Sequence, residues 1–129
     1  MFSDNDEMAP LSIAAVEDYP SIRIVRLRGA INQHTVSELE RFRKWVGKHK
    51  GFHHKHVLLD FKEVTRVDTA AVAEIIQQVS ILKTGNLRLG AINLSPTVRG
   101  MFQVLKVEKL IAFYENESEA LEDMTRKKT

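Results

Sequence analysis

Not one of the 129 residues is cysteine, which excludes a disulfide framework and any thiolate metal site. No apolar run approaches the roughly 18 residues that a membrane span requires. The opening MFSDNDEMAP lacks the basic and apolar regions of a signal peptide, so the expected address is the cytoplasm. Neither sign of charge dominates: 19 Lys and Arg against 17 Asp and Glu leave a net charge of +2, too little to imply nucleic acid by itself. Also missing are a Gly-rich phosphate loop, a zinc-protease helix motif and a nucleophile elbow. The expectation is therefore a protein that is not an enzyme and carries no cofactor. What is present is 43% hydrophobic and 28% charged residues, the make-up of one globular domain able to bury its own core.

The apolar pattern changes character along the chain. Residues 1–10 are polar and acidic and read as a loose N-terminal segment. The folded domain is expected over 11–125, with a basic C-terminal tail at 126–129. Leu11, Ile13 and Ala15 alternate as in a strand, and the turn cluster Asp18-Tyr19-Pro20-Ser21 leads into IRIVRLRG, which predicts an antiparallel pair. Thr35, with Glu38 at capping-box spacing, opens a helix whose stripe is Val36, Leu39, Phe42 and Val46. HVLLDF is a short continuous apolar run, as in a strand covered on both faces. A second helix follows Asp68 through Val72, Ile75, Ile76, Val79 and Leu82, stopping at Gly85. Leu87, Leu89 and Ala91 then form a strand. Ser95-Pro96 opens a third helix through Val98, Met101, Phe102 and Leu105. LIAF (110–113) is a last strand, and Asn116 with Glu119 caps a last helix through Ala120, Leu121 and Met124. The order β-β-α-β-α-β-α-β-α predicts an α/β domain with a mixed, mostly parallel sheet and about four helices. Leu58, Leu59, Ile75, Ile76, Leu89 and Phe102 are expected to share one core.

Three constellations invite a chemical reading. His49, His53, His54 and His56 crowd into eight residues, but they lie at a helix-to-strand junction with no thiolate or carboxylate at ligand spacing. With Lys44, Lys48, Lys50 and Lys55 beside them, a basic solvated loop and no metal site is the expectation. The arginines of RIVRLRG come without a recognition-helix pattern or an aromatic RNA-binding signature, so no direct nucleic-acid contact is expected; Trp45 is expected to be partly buried. Finally, Glu17-Asp18 after a strand and Asp60 ending VLLD resemble the acidic pocket of a receiver domain phosphorylated on Asp60. The strand-like IRIVRLRG stands where a receiver would place a helix.

The stretch VTRVDTAAVAEII (64–76) carries the functional signal. Thr69 follows Asp68 where an extended run becomes a helix. A hydroxyl there can cap an open backbone N–H, and the same helix end favours a phosphate. Both a plain cap and a modified hydroxyl fit the residues.

From Ile24 to about Leu121 the chain resembles a STAS domain, the fold of bacterial anti-sigma factor antagonists. VRLRGAINQHTVSEL matches a strand, a Gly-Glu-hydrophobic-Asp segment and the first helix of that family. HVLLDFKEVTRVDTAAVAEII matches its strand, linker and Asp-Ser-Ser/Thr-Gly helix opening, and LRLGAINLSPTVRGMFQVLKVEKLIAFYENESEAL matches its ending. The resemblance implies that Thr69 is the phosphorylated residue. It also implies a partner anti-sigma factor or serine/threonine kinase of the GHKL ATPase type, a phosphatase, and room for a homodimer. The surface implied for the partner is Asn32, Gln33, Asp68, Thr69, Ala70, Ala73 and Gln77. Three positions depart from the family: Ala30 and Asn32 stand where it has Glu and Asp, and Ala71 where it has Gly. A STAS subunit of another system, a scaffold or a lipid-transport complex with Thr69 unmodified, is the second expectation.

Overall fold

The computed structural model describes residues 12–48 and 55–126, the side chains of 46–48 excepted. The expected N-terminal segment, Val46 of the first helical stripe, His49, His53 and His54 of the histidine-rich loop and the end of the basic tail lie outside this description. The elements are β1 (Ile13–Asp18), β2 (Ile22–Ile31), α1 (Ser37–Lys48), β3 (His56–Val67), α2 (Thr69–Thr84), β4 (Leu89–Ile92), α3 (Pro96–Val104), β5 (Ala112–Phe113) and α4 (Glu117–Thr125). A 3₁₀ turn, Glu108–Leu110, precedes β5 and takes up Leu110, so the last strand is shorter than LIAF suggests.

The five strands stand in chain order, β1-β2-β3-β4-β5. β1 runs antiparallel to β2, and every later pair is parallel. This is the mixed, mostly parallel sheet the element order predicts. It overturns the receiver alternative, because a receiver-type sheet has the order 2-1-3-4-5 with a helix after its first strand. Asp60 has a structural job instead. It accepts hydrogen bonds from Arg26 Nη1 at 2.8 Å, Asn93 Nδ2 at 2.9 Å and the Lys62 N–H at 2.9 Å.

Two cores form, one on each face of the sheet. Residues alternate across a strand, so Val57, Leu59 and Phe61 face α1, α2 and α3, meeting Leu39, Ile75 and Phe102 there. Leu58, pointing the other way, joins Ile22, Ile24 and Ile92 beneath Ala120 and Met124 of α4. The expected single core is therefore corrected: Leu58 belongs to the α4 side, and Ile76 is half-buried at the margin of the larger core. The β-rich run of β2 is buried on both faces for the same reason. Its Arg23, 2% exposed, is tolerated because Nε pairs with Asp18 at 2.7 Å.

The helix starts show how local signals were used. Ser95 caps α3 by accepting from the Val98 N–H, with Pro96 in the first turn, and Asn116 accepts from the Glu119 N–H at the start of α4. Glu38 does not complete a capping box. Its buried carboxylate accepts from the Ile13 N–H of β1, 25 residues away, and α1 begins at Ser37. On the α4 face, Gly90 is the close-approach point. A Cβ there would stand 2.8 Å from the Met124 sulfur and 3.1 Å from the Tyr114 ring.

Candidate functional site

The β2–α1 loop and the β3–α2 junction lie side by side at the C-terminal ends of β2 and β3, paired in the sheet as far as Ile31 and Val67. The first loop is held by its own polar groups. Asn32 Oδ1 accepts from the N–H groups of His34 (2.8 Å) and Thr35 (3.2 Å), and the Thr35 hydroxyl donates to Ala30 O at 2.8 Å while accepting from the Asn32 N–H at 2.9 Å. Such side-chain-to-backbone bonds fix a turn that no regular ladder stabilises.

Asp68 joins the two segments. Its backbone N–H donates to Ile31 O at 3.1 Å. One carboxylate oxygen caps α2 by accepting from the Ala71 N–H at 3.1 Å, and the other accepts from the Gln33 N–H at 3.2 Å. The cap of this helix is thus Asp68, not Thr69. A carboxylate offers two acceptors in a fixed fork, and both are used. Thr69 becomes the first helical residue, exposed, and no described residue hydrogen-bonds its hydroxyl. A hydroxyl released from capping is available for chemistry at the positive end of a sixteen-residue helix.

The remaining expected residues fall into two groups. Gln33, Thr69, Ala73 and Gln77 are exposed, and Asn32, Asp68 and Ala70 are half-buried. Thr69, Ala73 and Gln77 repeat every four residues and so line one face of α2. Ser80 and the 47%-exposed Ile81 continue that outer surface. The helix has two charged residues, Glu74 and Lys83. Glu74 is buried and forks onto Arg43 of α1, 2.7 and 3.0 Å away, which raises the guanidinium pKa above its ordinary value and clamps α1 to α2. The outer face is consequently uncharged from Thr69 to Ile81. The polar groups on that face, Thr69, Gln77 and Ser80, are all uncharged, whereas the solvated face of a helix ordinarily carries charges.

Two of the departures from the family pattern have a defined structural setting here. Ala71 is fully buried, so its methyl adds to the core and does not alter the outer face. Asn32 accepts two N–H bonds with one oxygen, as a carboxylate could, so the change is one of charge and not of turn geometry. Sequence reasoning passed over His34, exposed next to Gln33 with its Nε2 3.4 Å from the Gln33 amide nitrogen. Its place in the loop between Asn32 and Thr35 was the available signal.

Among the described residues, no three His, Asp or Glu side chains converge as a metal-holding group, and no helix is long and apolar enough to cross a membrane. His56 is used structurally: its Nδ1 accepts from the Arg88 N–H at 3.0 Å.

Comparison with known proteins agrees with this architecture. An anti-sigma-factor antagonist (STAS) domain protein from Planctomyces limnophilus superposes with a TM-score of 0.74 at 15% identity, covering 87% of this chain and 97% of its own. An anti-sigma factor antagonist from Mycobacterium paratuberculosis gives 0.70 at 15% identity, with 87% and 92% covered. The Bacillus cell fate determinant SpoIIAA in its phosphorylated form gives 0.63 at 20% identity, with 84% and 96% covered. No curated protein sequence gave a significant match. The model of the STAS domain family matches residues 14–120, from β1 into α4 and through both segments of the site, and the chain belongs to that family.

Proposed function

We propose that this chain is a non-enzymatic, anti-sigma factor antagonist-like regulator of the cytoplasm that binds a partner anti-sigma factor or kinase and is switched by reversible phosphorylation of Thr69. One observation carries the reading: Thr69 is exposed at the head of an uncharged helix face and no described residue hydrogen-bonds its hydroxyl, because the neighbouring Asp68 has taken over the cap. Unmodified, the surface of Asn32, Gln33, Asp68, Thr69, Ala70, Ala73 and Gln77 is small-featured, and its one charge is the half-buried Asp68 carboxylate, already engaged by two N–H groups. A phosphate there adds about −1.5 to −2 charges beside the Asp68 carboxylate. Like-charge repulsion and desolvation then oppose a partner that fitted the unmodified face. The fold need not change for the switch to operate.

SpoIIAA, a structural neighbour, has been solved in both phosphorylated and unphosphorylated forms, which supports a phosphate-switched role for this chain. The partner implied is a kinase of the GHKL ATPase type, with a phosphatase to reverse the mark. Pull-down from native lysate, with mass spectrometry of both the captured protein and the Thr69 peptide, tests the proposal. A captured protein kinase together with a phosphate on Thr69 supports it. Capture of a scaffold or transport complex with Thr69 unmodified would favour a STAS subunit of another system.

A further inference from the structure

At the far end of α2 a groove of about 230 Å³ opens between the helix's last turns, the start of β4 and the 3₁₀ turn before β5. Its floor is aliphatic, built from Val79, Leu87, Leu89 and Ile111. Leu110, 42% exposed, forms part of the wall. Among the described residues, the charged ones lining it are all cationic: Lys83, Arg88 and Lys109. Arg88 is drawn away by Asp123, its Nη1 3.4 Å from the carboxylate and its Nη2 donating to the Asp123 carbonyl at 3.2 Å. Lys83 and Lys109 are exposed and have no ion-pair partner among the described residues. Of the carbonyls ending α2, those of Leu82 and Lys83 already accept the Gly85, Asn86 and Leu87 N–H groups.

We propose that this groove binds a small amphipathic anion: an aliphatic chain lying on the leucine and valine floor, with one anionic head group held between Lys83 and Lys109. Sites for orientation-specific small ligands combine an apolar lining with a few placed polar groups, and here those groups are all of one sign. The groove is smaller than the roughly 300–1,000 Å³ typical of drug-sized or cofactor pockets, which favours a chain over a fused-ring ligand. A lysine presents its charge at the end of a flexible apolar stem, so both ammonium groups can close on a head group while their stems extend the floor. Lys83 lies fourteen residues along α2 from Thr69, about 21 Å at 1.5 Å per residue. The groove is therefore a second site, independent of phosphorylation at the helix head.

The test is an NMR titration of the full chain with decanoate, with decanol as the uncharged comparator and acetate as the head group alone. Saturable shifts confined to Val79, Leu87, Leu89, Leu110 and Ile111 are expected, at least about tenfold tighter for decanoate than for either comparator. Lys83→Glu/Lys109→Glu should weaken decanoate at least tenfold with an unchanged circular dichroism spectrum, while Thr69→Glu should leave it unaltered. Decyl phosphate binding as well as decanoate would show that either anionic head group serves. Absence of saturation, shifts centred elsewhere, decanol binding as tightly as decanoate, or a double variant of wild-type affinity would each overturn the proposal.

Discussion

Replacing Asp68 by alanine removes three things at once, and the structure sets their sizes. The helix cap is lost: Ala71 N–H, within a buried residue, keeps no side-chain acceptor, a loss of about 1 kcal/mol and within roughly 0.5–2. The bond from the Gln33 N–H is lost as well. That group is exposed and water replaces the carboxylate, so the cost is at the low end of the roughly 0.5–1.5 kcal/mol of an average bond. A negative charge at the helix N-terminus disappears, about 0.3–1 kcal/mol at the surface and partly counted in the cap already. Together these predict a destabilisation of about 1.5–2.5 kcal/mol for Asp68→Ala. Asp68→Asn should cost about half as much, because one amide oxygen can still cap Ala71 but cannot also reach Gln33. Urea unfolding measures the totals, and amide hydrogen exchange locates them, with protection falling at Ala71 in Asp68→Ala and at Gln33 in both variants. An Asp68→Ala protein within about 0.3 kcal/mol of wild type, with unchanged exchange at both amides, would refute the two-armed role of this carboxylate.

Other substitutions probe the two cores and the buried charges. Gly90→Ala should cost about 1–3 kcal/mol by overpacking against Met124 and Tyr114, read as a lowered urea midpoint. Ile76→Ala should cost about 1–2 kcal/mol, less than the roughly 2–5 of a fully buried site, because Ile76 is half-buried; equilibrium unfolding distinguishes the two. Acid should weaken the fold through the cluster around Arg26. Its guanidinium holds the Glu17 carboxyl below the usual range, and although burial pushes Asp60 up, the hydrogen bonds from Asn93, the Lys62 N–H and Arg26 outweigh it and leave Asp60 lowered too. A depressed carboxyl contributes stability that is present above its unfolded pKa, about 4, and lost as pH falls through its folded one. The urea midpoint should therefore drop below about pH 4, and Asp60→Asn should flatten that slope.

Much of this architecture could be read from residue order alone, and the exceptions have physical causes. Ser95-Pro96 and Asn116 announced their helices because a cap acts within one turn, and HVLLDF announced a doubly covered strand because Val57, Leu58 and Leu59 put apolar side chains on both faces in succession. The separation of Leu58 from Leu59 follows from strand alternation, yet it takes α4, far along the chain, to supply the second core. Glu38 sits at capping-box spacing but serves Ile13, since a buried strand N–H without a partner costs more than an exposed helix end. At the site, Thr69 and Asp68 are both good capping residues by type. Only the fold, by bringing Gln33 against the carboxylate, decides that Asp68 caps and Thr69 is left exposed. The outer face of α2 was partly visible in TAAVAEIIQQVSILKT, whose few charges stand out; that Glu74 turns inward to Arg43 was not.

The central claim is that the state of the Thr69 hydroxyl sets the affinity of this surface for its partner. Titration calorimetry of the recovered partner against wild type, Thr69→Ala and Thr69→Glu measures it most directly. Thr69→Ala should bind as tightly as the unphosphorylated wild type, and Thr69→Glu should bind at least about tenfold more weakly, some 1.4 kcal/mol. Equal affinities for all three proteins, with no phosphate on Thr69 in cells, would contradict the account and leave Thr69 an ordinary first residue of a helix.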